Sequence, residues 1–415
     1  MPDATMSPPS SLFTRLLRAR SVRVALALFV VARVLITVWG ALVASVMPPL
    51  SAEDEFLRAL GGGALPADEE AGALLGPWQR FDTMHYLSIA RQGYEAQNSV
   101  FPPLYPLAIR GLGTALALLP GVDGDRATLV AALVIANAAL LAALALLHHL
   151  TARLLDEEAA TKTVAYLLFF PTGFFLFAGY TESLFLLWAL ACVLAAQRRN
   201  LLWAGVFGLL AALTRLTGWL LVAPLAYEYA RRLGLDWRRP EWRAAWRRLD
   251  WQALGVCLPL LGTAAFLLWR ALAGLPPLGQ VYEQYWFQNT AVPGLDVLVA
   301  VRAALTGSGP RAGEYSLLLD LVSLLLILVS TAVAFRRLGP FYGLYALALL
   351  FFMLLPTSPV KPLYSFSRYT LAFFPLFMLL GAAGRKPWLN RLILYPSIVL
   401  YLFFSGQFFM GGWVG

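Results

Sequence analysis

From Val22 to Met47 the chain stays apolar for longer than the roughly 20 residues an α-helix needs to cross a bilayer core. Hydrocarbon offers no water to satisfy peptide groups, so such a run must be a helix that keeps its backbone hydrogen bonds to itself. Comparable runs recur as far as residue 411. With 60% of its residues hydrophobic and 13% charged, the chain has more apolar surface than a soluble domain needs. It reads as an all-α polytopic membrane protein. The first run is long enough to remain as a span and is not expected to be a cleaved leader.

Charge sets the expected orientation. Arg15, Arg18 and Arg20 lie ahead of the first run, which places segment 1–21 in the cytoplasm. Residues 48–77 then fall outside as a solvated loop carrying Glu53, Asp54, Glu55, Asp68, Glu69 and Glu70. Further crossings are expected at 127–150, 163–179, 181–197, 201–213, 216–230, 251–273, 315–335, 340–356, 366–384 and 392–411. With the first, these make about eleven spans in a single membrane domain, 22–411. Between them lie a first outer loop with its surface helices (48–126), a basic loop (231–250) and an outer loop (274–314).

The basic loop holds seven arginines, and it is cytoplasmic only if 104–119 lies along the outer surface. Pro102, Pro103 and Pro106 at its start, Arg110 within it and its short length all favour that placement. The net charge of +9 is thus assigned to cytoplasmic loops and not to a nucleic-acid partner. Trp237, Trp242 and Trp246 among those arginines fit an amphipathic segment resting on anionic membrane lipid. Cys192 and Cys257 sit in apolar runs, which speaks against a disulfide scaffold or a zinc site. His148-His149, at the end of an apolar run, reads as an interfacial polar step.

Polar and aromatic residues concentrate in one outer stretch, Trp78 to Arg110. Asp82 is placed to cap a short helix over about 83–92 that Gly93 ends, with Asp82, His85, Tyr86 and Ile89 on one face. Farther on, Pro171-Thr172-Gly173 and Thr214-Arg215-Leu216-Thr217-Gly218 break two spans near their outer ends. Irregular backbone at that depth survives only beside protein or a wet cavity, so a cavity opening outward is expected beneath the surface helices.

Arg80-Phe81-Asp82, His85-Tyr86, Ile89-Ala90, Gly93-Tyr94 and Pro103-Leu104-Tyr105-Pro106 together resemble the signature R-W-D-x-x-x-Y-x-x-I-A-x-x-G-Y…F-F-P-L-Y-P. That is the pattern of the PIG-V family, which contains the second mannosyltransferase of GPI-anchor assembly and prokaryotic relatives within the C-type membrane glycosyltransferases (GT-C). Phe81 departs from the family's Trp, and Pro102 from an aromatic residue. Gly179-Tyr180-Thr181-Glu182-Ser183-Leu184-Phe185 is similar to the family's A-Y-S-E-S-L-F. Downstream of about residue 230 the likeness is one of architecture.

The resemblance implies a GT-C fold and an acidic catalytic residue in the first outer loop, which is Asp82 here. On its residues alone, Asp82 is either a helix cap or a general base, and the two roles are compatible. Arg80, His85, Tyr86 and Tyr105 are candidate substrate contacts within the signature. Thr181 reads as a helix cap ahead of Glu182, which sits where a helix dipole favours a carboxylate, and Arg215 at its break needs a partner, either a phosphate or Glu182. Lys361 and Arg368 suit a lipid phosphate at a cavity mouth or anchoring to headgroups. Tyr282 to Asn289 offers rings and amides for a sugar or for the interface.

The expected activity is inverting transfer of a sugar, mannose by resemblance, from a polyprenyl-phosphate donor to a lipid, glycan or protein acceptor on the outer face. No resident cofactor is expected, since the sugar arrives on lipid, although Asp82 leaves room for one divalent ion. A transporter or lipid flippase is the rival, because broken helices with charges at depth also mark that class. A catalytically dead scaffold is a third reading, weakened by the intact Asp82 and Glu182 motifs. The lack of Asn-x-Ser/Thr sequons and the Ala/Leu/Arg-rich usage point to a bacterial plasma membrane.

Overall fold

A computed structural model describes residues 20–47, 72–235, 248, 250–308 and 315–414. Residues 1–19 of the expected cytoplasmic segment 1–21, 48–71 of the expected acidic loop 48–77 and 236–247 of the basic loop 231–250 lie outside the described residues. What is described is almost entirely helical. In chain order the α-helices are α1 (Arg20–Val46), α2 (Asp82–Gln92), α3 (Leu104–Leu116), α4 (Gly124–Leu154), α5 (Glu157–Leu168), α6 (Glu182–Gln197), α7 (Leu201–Thr214) and α8 (Val222–Arg232). Then follow α9 (Ala253–Leu272), α10 (Leu278–Trp286), α11 (Leu295–Thr306), α12 (Tyr315–Arg337), α13 (Pro340–Met353), α14 (Phe366–Tyr369), α15 (Phe374–Ala383) and α16 (Pro387–Phe409).

Five of these helices, α1, α4, α9, α12 and α16, are each long and apolar enough to cross a bilayer. A sixth crossing is formed if α14 and α15, bent by 81° at Phe373, count as one. Helices α6, α7 and α13 are apolar but shorter. At about 1.5 Å per residue, the 14 residues of α7 reach some 21 Å, less than a core about 30 Å thick. The protein is a multi-pass membrane protein whose shorter helices are completed by irregular backbone.

That backbone lies where the sequence breaks. The helix expected over 163–179 ends at Leu168 and gives way to a tight turn and a 3-10 segment, Gly173–Leu176. The one expected over 216–230 begins as a 3-10 segment, Leu216–Leu221, before α8. Gly218 permits this, for a Cβ there would stand 2.2 Å from the Ala212 nitrogen. Gly205 and Gly255 do the same for the crossing of α7 with α9, where either Cβ would come within about 2 Å of a backbone oxygen on the facing helix.

The two short helices expected over 83–92 and 104–119 both form, as α2 and α3, and Gly93 ends the first with a φ of +96°. The 274–314 stretch differs from the plain loop expected, because it contains α10 and α11. Apolar positions at helical spacing, with Val281 and Trp286 buried, fold α10 against the Gln97–Val100 turn. Asn289–Thr290 then pairs antiparallel with Pro356–Thr357, which ties this region to the segment leading into α14.

Candidate active site

Two of the helices that begin with a carboxylate do so close together. Asp82 is the first residue of α2 and Glu182 the first of α6. The positive end of each helix dipole favours an anion there. The structure corrects the capping expectation for both ends: neither Phe81, in the N-cap position of α2, nor Thr181, in that of α6, makes a side-chain capping bond. Phe81 takes a left-handed φ of 49°, so Asp82 enters the helix itself and its carboxylate turns away from the backbone toward Arg368.

Arg368, on the short helix α14, joins the two acids. Its terminal nitrogen donates to Asp82 Oδ2 at 2.5 Å and its Nε to Glu182 Oε1 at 2.6 Å. Arg215 extends the chain from the break after α7, donating to the same Glu182 oxygen at 2.7 Å and to Thr181 Oγ1 at 3.1 Å. The result is an alternating line, Asp82–Arg368–Glu182–Arg215, with two charges of each sign. The Arg368 guanidinium lies 4.5 Å from the Tyr180 ring centroid and 5.2 Å from that of Phe175, so aromatic faces hold its plane. Asp82, Glu182 and Arg368 are all buried.

This line is not closed on itself. Glu182 Oε2 has no hydrogen-bond partner among the described residues, and neither has His85 Nε2. His85 sits one turn after Asp82 on α2, its ring packed 5.6 Å from Phe101 and 5.0 Å from Trp286 of α10. Burial holds its imidazole below the usual histidine range, against the pull of Asp82, so it stays neutral at pH 7. A neutral imidazole and a spare carboxylate oxygen are the groups that hydroxyls of a sugar or an acceptor would bind. Trp286 is itself fixed by its Nε1 donating to Gln97 O at 3.0 Å.

The remaining sequence candidates fall elsewhere. The Tyr86 hydroxyl bonds Thr181 Oγ1 at 3.1 Å and so braces the first residues of α6 against α2. Tyr105 donates to Ala132 O at 2.9 Å and packs edge-on against Tyr86 at 5.0 Å. Arg80 donates to the Gln79 and Phe409 carbonyls and borders a hollow of about 300 Å³ between Val43, Pro77 and Met410. Lys361 pairs with Asp320 on α12 at 3.1 Å, both side chains fully buried, and does not extend the line of four charges. Asp320 went unnoticed in the sequence, although it is a carboxylate within an otherwise apolar run, which is itself a functional signal.

Comparison with known proteins agrees with the first half of the chain. The family model described as mannosyltransferase (PIG-V) matches residues 23–228. The GPI alpha-1,6-mannosyltransferase 2 of Rattus norvegicus is 33% identical over 170 residues, 40% of this chain and 34% of that protein. The GPI mannosyltransferase 2 of Chaetomium globosum is 31% identical over 239 residues, 51% of this chain and 48% of that one. The chain thus spans less than half the length of these relatives. Among solved structures, ArnT from Cupriavidus metallidurans bound to undecaprenyl phosphate aligns with a TM-score of 0.46 and 17% identity, covering 93% of this chain and 76% of that one. Arg368 lies beyond the matched residues, whereas Asp82, Glu182 and Arg215 lie within them. Residues 23–228, where both carboxylates and one of their two cations reside, are thus the part of the chain that matches the mannosyltransferase (PIG-V) family.

Proposed function

We propose that the protein is a membrane glycosyltransferase that moves mannose from a polyprenyl-phosphate donor to a hydroxyl acceptor on the outer face of a bacterial plasma membrane. The observation that carries this reading is the line Asp82–Arg368–Glu182–Arg215, set where two helices begin and bordered by His85 and Trp286. The acceptor is a lipid, glycan or protein. No resident cofactor belongs to the proposal.

In the proposed reaction the acceptor oxygen gives its proton to the Asp82 carboxylate and forms a bond to the anomeric carbon. The bond from that carbon to the phosphate oxygen breaks on the opposite face, and its electron pair leaves with the polyprenyl phosphate. Configuration therefore inverts. Arg368 and Arg215 supply preorganised positive charge beside the departing phosphate. Arg368 also holds the Asp82 carboxylate in place before the acceptor arrives. His85 Nε2 and Glu182 Oε2 bind hydroxyls and orient the sugar.

Purified protein is given radiolabelled polyprenyl-phosphate mannose and a membrane lipid extract, and wild type is compared with Asp82→Asn. Label passing to a new product with wild type alone supports both the class and the base. Equal transfer by Asp82→Asn removes Asp82 from the mechanism. Absence of transfer by wild type, together with movement of labelled donor across proteoliposome membranes, would make the protein a flippase.

A further inference from the structure

Arg368 stands between the two carboxylates only because the chain ahead of it is held in an uncommon shape. From Pro356 to Ser367 the backbone makes a strap with two non-glycine residues in the left-handed region, Leu363 (φ 54°) and Ser365 (φ 58°). Such residues persist where the surroundings over-determine them. Three side chains from outside the strap do so. Asp296 of α11 accepts the Leu363 N–H at 3.1 Å and the Thr357 hydroxyl at 2.5 Å. Thr172 donates to the Ser367 carbonyl at 2.9 Å. Asp320 accepts the Ser367 N–H at 2.7 Å through Oδ1, while Oδ2 faces Lys361 Nζ at 3.1 Å.

We infer that Asp320, with Lys361 as its counter-ion, is a positioning residue for Arg368. It fixes the Ser367 peptide and thereby sets where the guanidinium stands between Asp82 and Glu182. The inference rests on the transferase reading above, in which Arg368 serves the reaction. A fully buried ion pair is poor evidence of stabilisation, since removing its two charges from water costs about as much as their attraction returns. What distinguishes this pair is how its oxygens are used. One neutralises a lysine of the strap, and the other holds the N–H of the residue immediately ahead of the arginine. Lys361 makes the carboxylate tolerable in an apolar interior, and the carboxylate makes the strap rigid.

Two double variants of the full-length protein separate these roles. Asp320→Asn/Lys361→Met removes both charges but keeps a carbonyl oxygen for the Ser367 N–H. Asp320→Leu/Lys361→Met removes the charges and that acceptor together, and neither variant leaves a lone buried charge that would prevent folding. Hydrogen exchange over residues 363–369 is read first, because it needs no turnover. The Leu variant should exchange there at least tenfold faster than wild type, and the Asn variant should stay near wild type. In the mannose-transfer assay the Leu variant should lose about 10²-fold in kcat with KM for the donor nearly unchanged, the expected result of displacing a group by about 1 Å. The Asn variant should recover most of that loss. Equal exchange in the two variants would overturn the anchor. Equal turnover in the two would overturn its link to Arg368. If wild type itself transfers no label, the transferase reading fails while the exchange result still decides the anchor.

Discussion

The molecule buries charge in two places and treats it differently in each. Around Arg368, two carboxylates and two guanidiniums meet at the starts of α2 and α6, and Glu182 keeps an oxygen without a partner among the described residues. Around Lys361, one acid and one base face each other with no exposure at all, and the second carboxylate oxygen is taken by backbone. Ion pairing is common to both; what differs is access. The first arrangement offers groups to a ligand, backed by helix dipoles that make its anions affordable. The second offers nothing outward, and its effect is felt along the strap that carries Arg368.

The sharpest way to break this comparison is to neutralise an acid in the open cluster. Asp82→Asn should lower mannose transfer by roughly 10²–10⁴-fold, the range for loss of a general base, while the thermal unfolding midpoint changes little. A similar loss accompanied by a large drop in that midpoint would make Asp82 a structural residue like Asp320. The converse experiment removes one cation from each place. Lys361→Met strands a carboxylate with no exposure and should cost about 3–5 kcal/mol of stability by chemical unfolding in detergent. Arg368→Met should cost less, about 1–3 kcal/mol, because Glu182 retains Arg215 and Asp82 retains its helix N-terminus. Equal costs would mean that the cluster around Arg368 is as sealed as the other.

The sequence reveals the acids of the site more readily than its assembly. Asp82 and Glu182 lie in short, local patterns that survive without tertiary information, and Arg215 is marked by the break around it. Helices α1, α4, α9, α12 and α16 follow from apolar length alone. Lys361 and Arg368 lie seven positions apart in one polar stretch, and composition gives them the same reading, a cation for phosphate. The fold separates them: two left-handed residues between them send Lys361 to Asp320 and Arg368 to Asp82. No spacing rule anticipates that, because the turn is imposed by Asp296, Asp320 and Thr172 from three distant segments. The capping expectations for Asp82 and Thr181 fail for a related reason. Each side chain has a stronger partner across the site than its own helix N–H groups, Arg368 for one and Arg215 and Tyr86 for the other.

His85 gives the smallest effect and the finest discrimination, since it borders the open cluster without belonging to the ion pairs. Its imidazole is kept below the ordinary range by burial, with Asp82 opposing, so the folded protein resists taking the proton that an unfolded histidine accepts near pH 6.5. The unfolded state then binds more protons, and stability rises with pH through that window. The contribution is present in full above about pH 6.5 and is lost as the pH falls below it toward the folded value. His85→Phe keeps the ring packed between Phe101 and Trp286 and has nothing to protonate. Between pH 7.5 and 5.5 the unfolding midpoint of wild type should therefore fall further than that of His85→Phe. Transfer by the variant should drop mainly through KM, because a hydroxyl contact is lost while Asp82 and its cations remain. Parallel pH profiles for the two proteins would mean that water reaches the imidazole freely, placing His85 at an exposed rim and not against the buried face of the site.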